Sequence, residues 1–359
     1  MDYRLVKCNM LLVVVLYCLV QPVFADSRFG SLTHIRDPEM QGLPGQWIRP
    51  HPGPFIWGRI EGAPGEYDWK RSDKIVRNAQ QRNQTILATI WPYADWEQQS
   101  CNRRQTRSPF GKRFPRYLSK PCSMGAYFEF LQKVVDRYDG DNKNDMPGLA
   151  KPIRHWEIMN EPEFDMFFNG SQEDFIEIFI TSSKLIRKLQ PQAVIVMAGA
   201  AGMFRESERY WNNVLPSIKE HFDIATVHHI AMPDGGCDRD LWVGEFSQLL
   251  NKHSIQKPIW VTEAQPTTRC GVVDSYITAF SKGADIIFSV GVRAPGPKMV
   301  AKDRQALHRL MTEYDLFTSI SVDISGNAEF LFEDGSKKLI MLKGRQQKSS
   351  QKSVYTGRD

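Results

Sequence analysis

The sequence WEIMNEPE (residues 156–163) closes the fourth of eight strand-like segments, and IWVTEAQ (residues 259–265) closes the seventh. Each is a mostly apolar run that leads to a glutamate, Glu161 in the first and Glu263 in the second. Amphipathic stretches with apolar residues about 3.6 positions apart separate the strand-like segments. This alternation is typical of a parallel sheet with crossover helices. Eight such units predict an α/β fold, a (β/α)8 TIM barrel.

The predicted strands are residues 29–34, 46–51, 85–91, 153–160, 194–198, 222–227, 258–263 and 284–289. The clearest predicted helices are residues 72–82, 124–138, 175–189 and 302–314. The first crossover, residues 37–45, is too short for a full helix. A doubly wound open sheet also alternates strand and helix, but no glycine-rich fingerprint opens a helix after a strand. Closure into a barrel therefore fits the eight units better.

The remaining segments flank a barrel predicted over residues 26–318. Residues 1–25 combine a basic start, an apolar run and a small-residue pattern ending at Ala25, which predicts a signal peptide and a secreted protein. Asp334-Gly335 between alternating runs predicts a β-hairpin in a small appendage over residues 319–345. The basic tail, residues 346–359, is predicted to be disordered.

Four cysteines follow the predicted signal peptide, and an even number in an oxidising compartment favours disulfides. Four cysteines allow three connectivities. Their positions in the predicted loops favour the pairs Cys101–Cys122 and Cys237–Cys270.

Two sequons, at Asn83 and Asn169, suit a eukaryotic secretory route, although such triplets also arise by chance.

The net charge of +5 is local rather than general. From Lys337 onward the chain carries seven Lys or Arg and one acid, whereas residues 26–336 sum to −2. Nucleic-acid binding does not follow from this distribution. No segment after the predicted signal peptide is long and apolar enough to predict a membrane partner. His228 and His229 are adjacent and face opposite ways on a strand, and no ligand cluster has zinc spacing, so neither a metal nor a cofactor is predicted.

The two strand-end glutamates point to glycoside hydrolysis. The carboxyl ends of barrel strands form the catalytic face, and strands four and seven lie across it from one another. One carboxyl group can protonate the leaving oxygen while the other attacks the sugar. Either motif alone often has no catalytic meaning, since a glutamate after a strand is commonly a solvated helix N-terminus. Both together, on these two strands, are far more specific.

The pair resembles the hallmark of the clan A glycoside hydrolases, in which the acid/base follows an Asn on strand four and the nucleophile ends strand seven. Residues 47–73 are also similar to the amino-terminal third of family thirty-nine-like and family five-like members. The similarity covers most of residues 29–290. It implies a retaining β-glycosidase that acts on β-linked carbohydrates, with Glu161 as the acid/base and Glu263 as the nucleophile.

The resemblance also implies roles for two residues near these carboxylates. It implies that Asn160 hydrogen-bonds the sugar 2-hydroxyl and that Arg49 holds the nucleophile ionised, since an adjacent cation lowers the pKa of a carboxylate. The alternative for Arg49 is a surface or loop arginine, because Pro50 follows it. Glu157 shares strand parity with Glu161 and points into the barrel, so we expect it to pair with an arginine or a histidine.

Aromatic residues after strand three, Trp91, Tyr93 and Trp96, lie at the predicted catalytic face, where rings stack on sugars. We favour Trp91 for the site, against the alternative of core packing. His228 on strand six is expected to line the site, with a satisfied core histidine as the alternative.

Two positions depart from the family pattern. Strand six carries Ile230 where the family shows a Tyr, and residues 288–291 on strand eight lack its Trp. These departures keep open a second hypothesis, a catalytically inactive barrel that binds glycans or a protein partner. The retained carboxylate pair favours the enzyme.

The loop from Cys101 to Cys122 contains no acid and is strongly basic. Guanidinium groups bind carboxylate and sulfate oxygens through paired hydrogen bonds. The loop thus favours an anionic glycan, with a solvated surface loop as the alternative. Its cations are Arg103, Arg104, Arg107, Lys112, Arg113, Arg116 and Lys120.

Overall fold

The computed structural model describes residues 27–33, 46–106, 114–230, 240–265, 271–290 and 301–342. All eight predicted barrel strands are present. They are β1 (Phe29–Thr33), β2 (Trp47–Pro50), β3 (Thr85–Ile90), β4 (His155–Ile158), β5 (Val194–Val196), β6 (Ala225–Ile230), β7 (Ile259–Gln265) and β8 (Ala284–Val290).

The strands form one parallel sheet in the order β5-β4-β3-β2-β1-β8-β7-β6. Two isolated parallel bridges, Val196 with Ile224 and Ala200 with Val227, join β5 to β6 and close the sheet. The predicted (β/α)8 barrel is therefore confirmed. Strand β6 begins three residues later than predicted and extends through both histidines, which are buried.

The described helices are α1 (Trp57–Ile60), α2 (Lys70–Gln81), α3 (Asp95–Gln98), α4 (Met124–Tyr138), α5 (Gln172–Leu189), α6 (Arg205–Ile218), α7 (Val243–Lys252), α8 (Val272–Ser281) and α9 (Ala301–Glu313). A short hairpin, Glu61–Ala63 with Glu66–Tyr67, lies between α1 and α2. Helix α5 begins before its predicted start because Ser171 and Asp174 form a capping box.

The barrel interior is arranged in layers, because side chains along a strand alternate between its two faces. At the amino-terminal end, Trp47 contacts both His155 and Trp260, with ring centroids 4.7 and 5.0 Å apart. Two residues further along their strands lie Arg49 and Glu157, both fully buried. The apolar lower layer thus supports a charged layer directly beneath the face formed by the carboxyl ends of the strands.

The appendage contains three antiparallel strands, β9 (Phe317–Val322), β10 (Asn327–Phe332) and β11 (Lys337–Met341). The predicted hairpin is β10 and β11, and β9 was not predicted. Phe317 anchors this sheet on the barrel through Phe280 of α8, with ring centroids 5.0 Å apart.

The predicted signal peptide, the basic tail and the Cys237–Cys270 pair lie outside the described residues. Within the described ranges, no helix combines the length and the apolar character that a membrane span requires.

Candidate active site

Arg49 is the centre of the site. From the end of β2 its guanidinium donates hydrogen bonds to three side chains: Nε to Glu157 at 2.8 Å, Nη1 to Glu263 at 2.7 Å and Nη2 to the Oδ1 of Asn160 at 2.5 Å. Burial acts to lower the pKa of Arg49, but the two carboxylates raise it above its usual value. A fully buried guanidinium thus holds residues of β4 and β7 in one geometry.

Glu157 has the structural role that its strand parity predicted. Its Oε2 accepts from Arg49 and from the hydroxyl of Thr89 on β3, the latter at 2.5 Å. Its side chain is fully buried. Since a buried carboxylate requires a counter-charge, the pairing with Arg49 is confirmed as a support beneath the site.

His228 connects the two glutamate-bearing strands. Its Nδ1 lies 2.6 Å from the Oε1 of Glu161, and its Nε2 lies 2.9 Å from the hydroxyl of Thr262 on β7. Burial lowers the pKa of His228 to about 4, so the ring is neutral at physiological pH. A neutral imidazole has one donor and one acceptor nitrogen. The Nδ1 of His228 can therefore accept a hydrogen bond from protonated Glu161 while its Nε2 donates one to Thr262.

Glu161 and Glu263 lie close together in different surroundings. Three atoms lie within 4.8 Å of one another: one carboxyl oxygen of Glu161, one carboxyl oxygen of Glu263 and one ring nitrogen of His228. Burial raises the pKa of Glu161 to about 8, while Arg49 acts to lower it and Glu157 to raise it further. Glu263 instead accepts directly from the Arg49 guanidinium. The pair therefore has one carboxyl group suited to carry a proton and one that is hydrogen-bonded to a cation.

The backbone after β4 has an unusual conformation. Met159 and Glu161 have φ values of 68° and 42°, in the left-handed region that non-glycine residues seldom adopt. The amide of Met159 donates to the carbonyl of Ile90, and that of Glu161 donates to the carbonyl of Gly199. Such strain persists where surrounding structure imposes it, and it is frequent at functional sites.

Trp91 lies where predicted but does not have the predicted exposure. It follows β3 with its ring centroid 5.8 Å from that of His51, and its Nε1 donates to the carbonyl of Pro52. The ring is fully buried, with Phe114 packed against it at 5.0 Å. Trp91 therefore forms part of the wall rather than an open stacking platform in this structure. Tyr93 is likewise fully buried.

Three residues close in sequence to the site residues were not predicted. His51 follows Arg49 by two positions, and its Nε2 lies 3.9 Å from Glu263. Gln265 follows Glu263 by two, and its Oε1 is buried without a hydrogen-bond partner among the described residues. Glu163 follows Glu161 by two, and burial raises its pKa to about 7. Strand parity could have identified His51 and Gln265, whereas the left-handed backbone at Met159 and Glu161 takes Glu163 out of the strand alternation.

The spacing of Glu161, His228 and Glu263 is also one that a metal ion could use. The guanidinium of Arg49 already binds the Glu263 oxygen, however, so the protein supplies its own cation there. A second carboxylate group of this kind, Asp139, Asp141 and Asp145, lies after α4 at the opposite end of the barrel.

The disulfide Cys101–Cys122 is present, as predicted. Most described cations of its loop are bound to acids: Arg104 to Asp165 at 2.5 Å, Arg116 to Asp95 and Lys120 to Glu177. Because these charges are neutralised locally, they attract an anionic substrate less than the sequence indicated. Arg107, Lys112 and Arg113 lie outside the described residues.

The sequence matches no family model and no curated protein sequence. Solved structures are similar over most of the chain. One is a glucosidase from Croceicoccus marinus, with a TM-score of 0.60 and 12% identity over 88% of this chain and 74% of that one. The chain shares the (β/α)8 barrel fold of this structure.

Two further solved structures are similar to this chain in fold. A beta-galactosidase from Marinomonas ef1 gives a TM-score of 0.55 and 12% identity, over 80% of this chain and 59% of that one. Xylanase 10B from Thermotoga petrophila, solved with xylobiose, gives a TM-score of 0.52 and 11% identity, over 80% of this chain and 94% of that one. The predicted resemblance to glycoside hydrolases is thus confirmed for the fold.

Proposed function

We propose that the protein is a retaining β-glycosidase that uses Glu161 as the acid/base and Glu263 as the nucleophile. The observation that carries the proposal is the close approach of these two carboxyl groups, with oxygens within 4.8 Å. Retaining enzymes separate their carboxyl groups by about 5–5.5 Å, and inverting enzymes by about 6.5–9.5 Å to admit a water molecule. The spacing supports direct attack by Glu263.

In the first step, protonated Glu161 gives its proton to the glycosidic oxygen. Glu263 attacks the anomeric carbon, the bond from that carbon to the leaving oxygen breaks, and a glycosyl–enzyme ester forms. In the second step, the Glu161 carboxylate removes a proton from water. The water oxygen bonds to the anomeric carbon as the ester bond to Glu263 breaks, which restores both residues.

The surrounding residues support this cycle. Arg49 fixes Glu263 and stabilises its charge as carboxylate and as leaving group. Asn160, held through Oδ1 by the same guanidinium, has its amide nitrogen left to donate to the sugar 2-hydroxyl. The substrate class is a β-linked carbohydrate, as the names of the similar glucosidase, galactosidase and xylanase suggest. The predicted signal peptide supports a secreted enzyme.

The test measures the products that the unmodified protein, Glu161→Ala and Glu263→Ala form from 2,4-dinitrophenyl β-glycosides of several sugars. The dinitrophenolate departs without a proton, so Glu161→Ala still forms the glycosyl–enzyme, and added azide gives a β-glycosyl azide. Glu263→Ala needs azide for the displacement itself and gives the α-glycosyl azide. Glu329→Ala, on the appendage sheet, is the matched control and hydrolyses these glycosides as the unmodified protein does.

Glycan binding without turnover by the unmodified protein would instead identify an inactive binding barrel. Full activity of the Glu263→Ala variant would exclude Glu263 as the nucleophile.

A further inference from the structure

A pocket of about 670 Å³ opens beside Glu161 and is not part of the carboxylate site. It lies between the loop after β4 and the first turn of α6, and a residue of the disulfide loop completes it. A volume of this size accommodates a one- or two-ring organic group. We call it the phenylalanine pocket; it is lined by Thr106, Glu163, Phe164, Asp165, Met166, Phe204, Glu206 and Ser207.

Its position relates it to one side of the reaction. Its wall begins two residues after Glu161, and the amide of Phe164 donates to the carbonyl of Glu161 at 3.0 Å. The acid/base protonates the oxygen of the leaving group, so that group departs on the Glu161 side of the site. The pocket therefore lies on the Glu161 side of the site, the side on which the leaving group departs.

Apolar side chains form the surface of this pocket. The rings of Phe164 and Phe204 are stacked, with centroids 5.7 Å apart and planes 10° from parallel. Met166 is 44% exposed, which is unusual for a side chain of this type. Adaptable thioethers and aromatic edges suit flat, apolar ligands.

Hydrogen bonds hold the two walls in place. The Oε1 of Glu163 accepts from the amide of Ala201 at 2.7 Å, the hydroxyl of Ser207 at 2.7 Å and the indole of Trp211 at 2.9 Å. This ties the loop after β4 to α6. The Phe164 and Phe204 rings thus lie on two segments that are fixed relative to one another, so the pocket is preformed.

The charges of the pocket exclude one class of leaving group. Three carboxyl groups line it, from Glu163, Asp165 and Glu206. Arg104 neutralises Asp165, and burial raises the pKa of Glu163 to about 7. Glu206 therefore accounts for most of the repulsion that an anionic leaving group would meet here.

We propose that the phenylalanine pocket binds the leaving group of the substrate and selects β-glycosides with an uncharged aromatic aglycone. The inference rests on the proposed function, because it needs Glu161 to act as the acid. It adds to that function the chemical class of the departing group.

The experiment uses two substrates of the same sugar. An aryl β-glycoside fills the pocket, whereas a β-glycosyl fluoride has a leaving group too small to reach it. In Phe204→Ala we expect the ratio of kcat/KM for the aryl glycoside to that for the fluoride to fall about tenfold, from the loss of aromatic contact. Phe332→Ala, which removes a partly buried ring from the appendage sheet, is the matched control with an unchanged ratio. Phe164→Ala repeats the test from the other wall.

An unchanged ratio in both pocket variants, with fluoride still hydrolysed, would overturn the pocket assignment and leave the proposed function standing. An unmodified protein that turns over neither substrate would overturn both. The charge preference has its own readout, the kcat/KM ratio of 4-carboxyphenyl to 4-carboxamidophenyl glycosides. We expect Glu206→Gln to raise this ratio several-fold, and no rise would contradict the charge argument.

Discussion

Gly199 leaves the space that the imidazole of His228 occupies between Glu161 and Thr262. A Cβ at this glycine would overlap the ring. The carbonyl of Gly199 also accepts a hydrogen bond from the amide of Glu161. In Gly199→Ala we therefore expect the ring to be displaced, with a stability loss of about 1–3 kcal/mol from overpacking. We also expect a fall of about 100-fold in kcat/KM, since small misplacements of catalytic groups cost this much.

Denaturant unfolding and steady-state kinetics measure both effects. Gly62→Ala is the control, since a Cβ there has no neighbour within 4 Å. Unchanged kinetics in Gly199→Ala would show that the position of His228 does not matter to Glu161.

The raised pKa of Glu161 predicts the basic limb of the pH profile. The acid must be protonated in the first step, so kcat/KM should fall as the pH rises through about 8. The substitution His228→Ala admits water beside Glu161. Because burial is the main cause of the raised pKa of Glu161, we expect the basic limb of the profile to move to a pH about one unit lower. His221→Ala, at the amino-terminal end of β6, is the control. A limb that stays near 8 in His228→Ala would exclude the ring as a source of that burial.

Arg49 offers a test of the charged layer. Arg49→Met leaves the carboxylates of Glu157 and Glu263 without their counter-ion, and we expect the free energy of unfolding to fall by about 3–5 kcal/mol. Adding Glu157→Gln removes one of these uncompensated charges and is expected to recover part of the loss. Additive losses in the double variant would contradict a direct interaction.

The Cys101–Cys122 disulfide closes a loop with a sequence separation of 21 residues. We expect Cys101→Ser with Cys122→Ser to lower the free energy of unfolding by about 3 kcal/mol, mainly through greater freedom of the unfolded chain. Urea unfolding with and without reductant measures this. Under reductant, which also opens the predicted Cys237–Cys270 disulfide in both proteins, equal stability of the unmodified protein and the double variant is the internal control. A loss below about 0.5 kcal/mol without reductant would contradict the prediction.

Salt dependence tests the basic loop. Because Arg104, Arg116 and Lys120 are paired with acids, we expect kcat/KM for a sulfated glycoside to depend on salt, up to 1 M, hardly more than that for the neutral glycoside of the same sugar. A sulfated substrate whose kcat/KM falls steeply, as the Debye length shrinks from about 10 Å at 0.1 M to about 3 Å at 1 M, would support the anionic-glycan hypothesis. Arg103→Gln would then reduce that dependence.

The sequence was sufficient to predict the eight strands and the placement of Glu161 and Glu263, because both depend on local patterns. Apolar runs define strands, and the carboxyl ends of parallel strands meet at one face. The contact of Arg49 with Glu263 was predicted from a family resemblance rather than from spacing.

The partners of His228 could not be read from the sequence in the same way. Parity places the ring inside the barrel, but whether it contacts Glu161 or Glu263 depends on a shift of register between β6 and β7. The burial of Trp91 also escaped prediction, since it depends on Phe114, which approaches from a distant part of the disulfide loop. Long-range packing of this kind leaves no periodic signal.

The network around Arg49 has an implication for engineering. Its members, Glu157, Asn160 and Glu263, all belong to barrel strands or to the residues directly after them. The chemistry is thus anchored in the scaffold, whereas the groups that would discriminate between substrates lie on connecting segments. Libraries that exchange the parts of those segments beyond Glu161 can alter selectivity while they retain the proposed reaction centre.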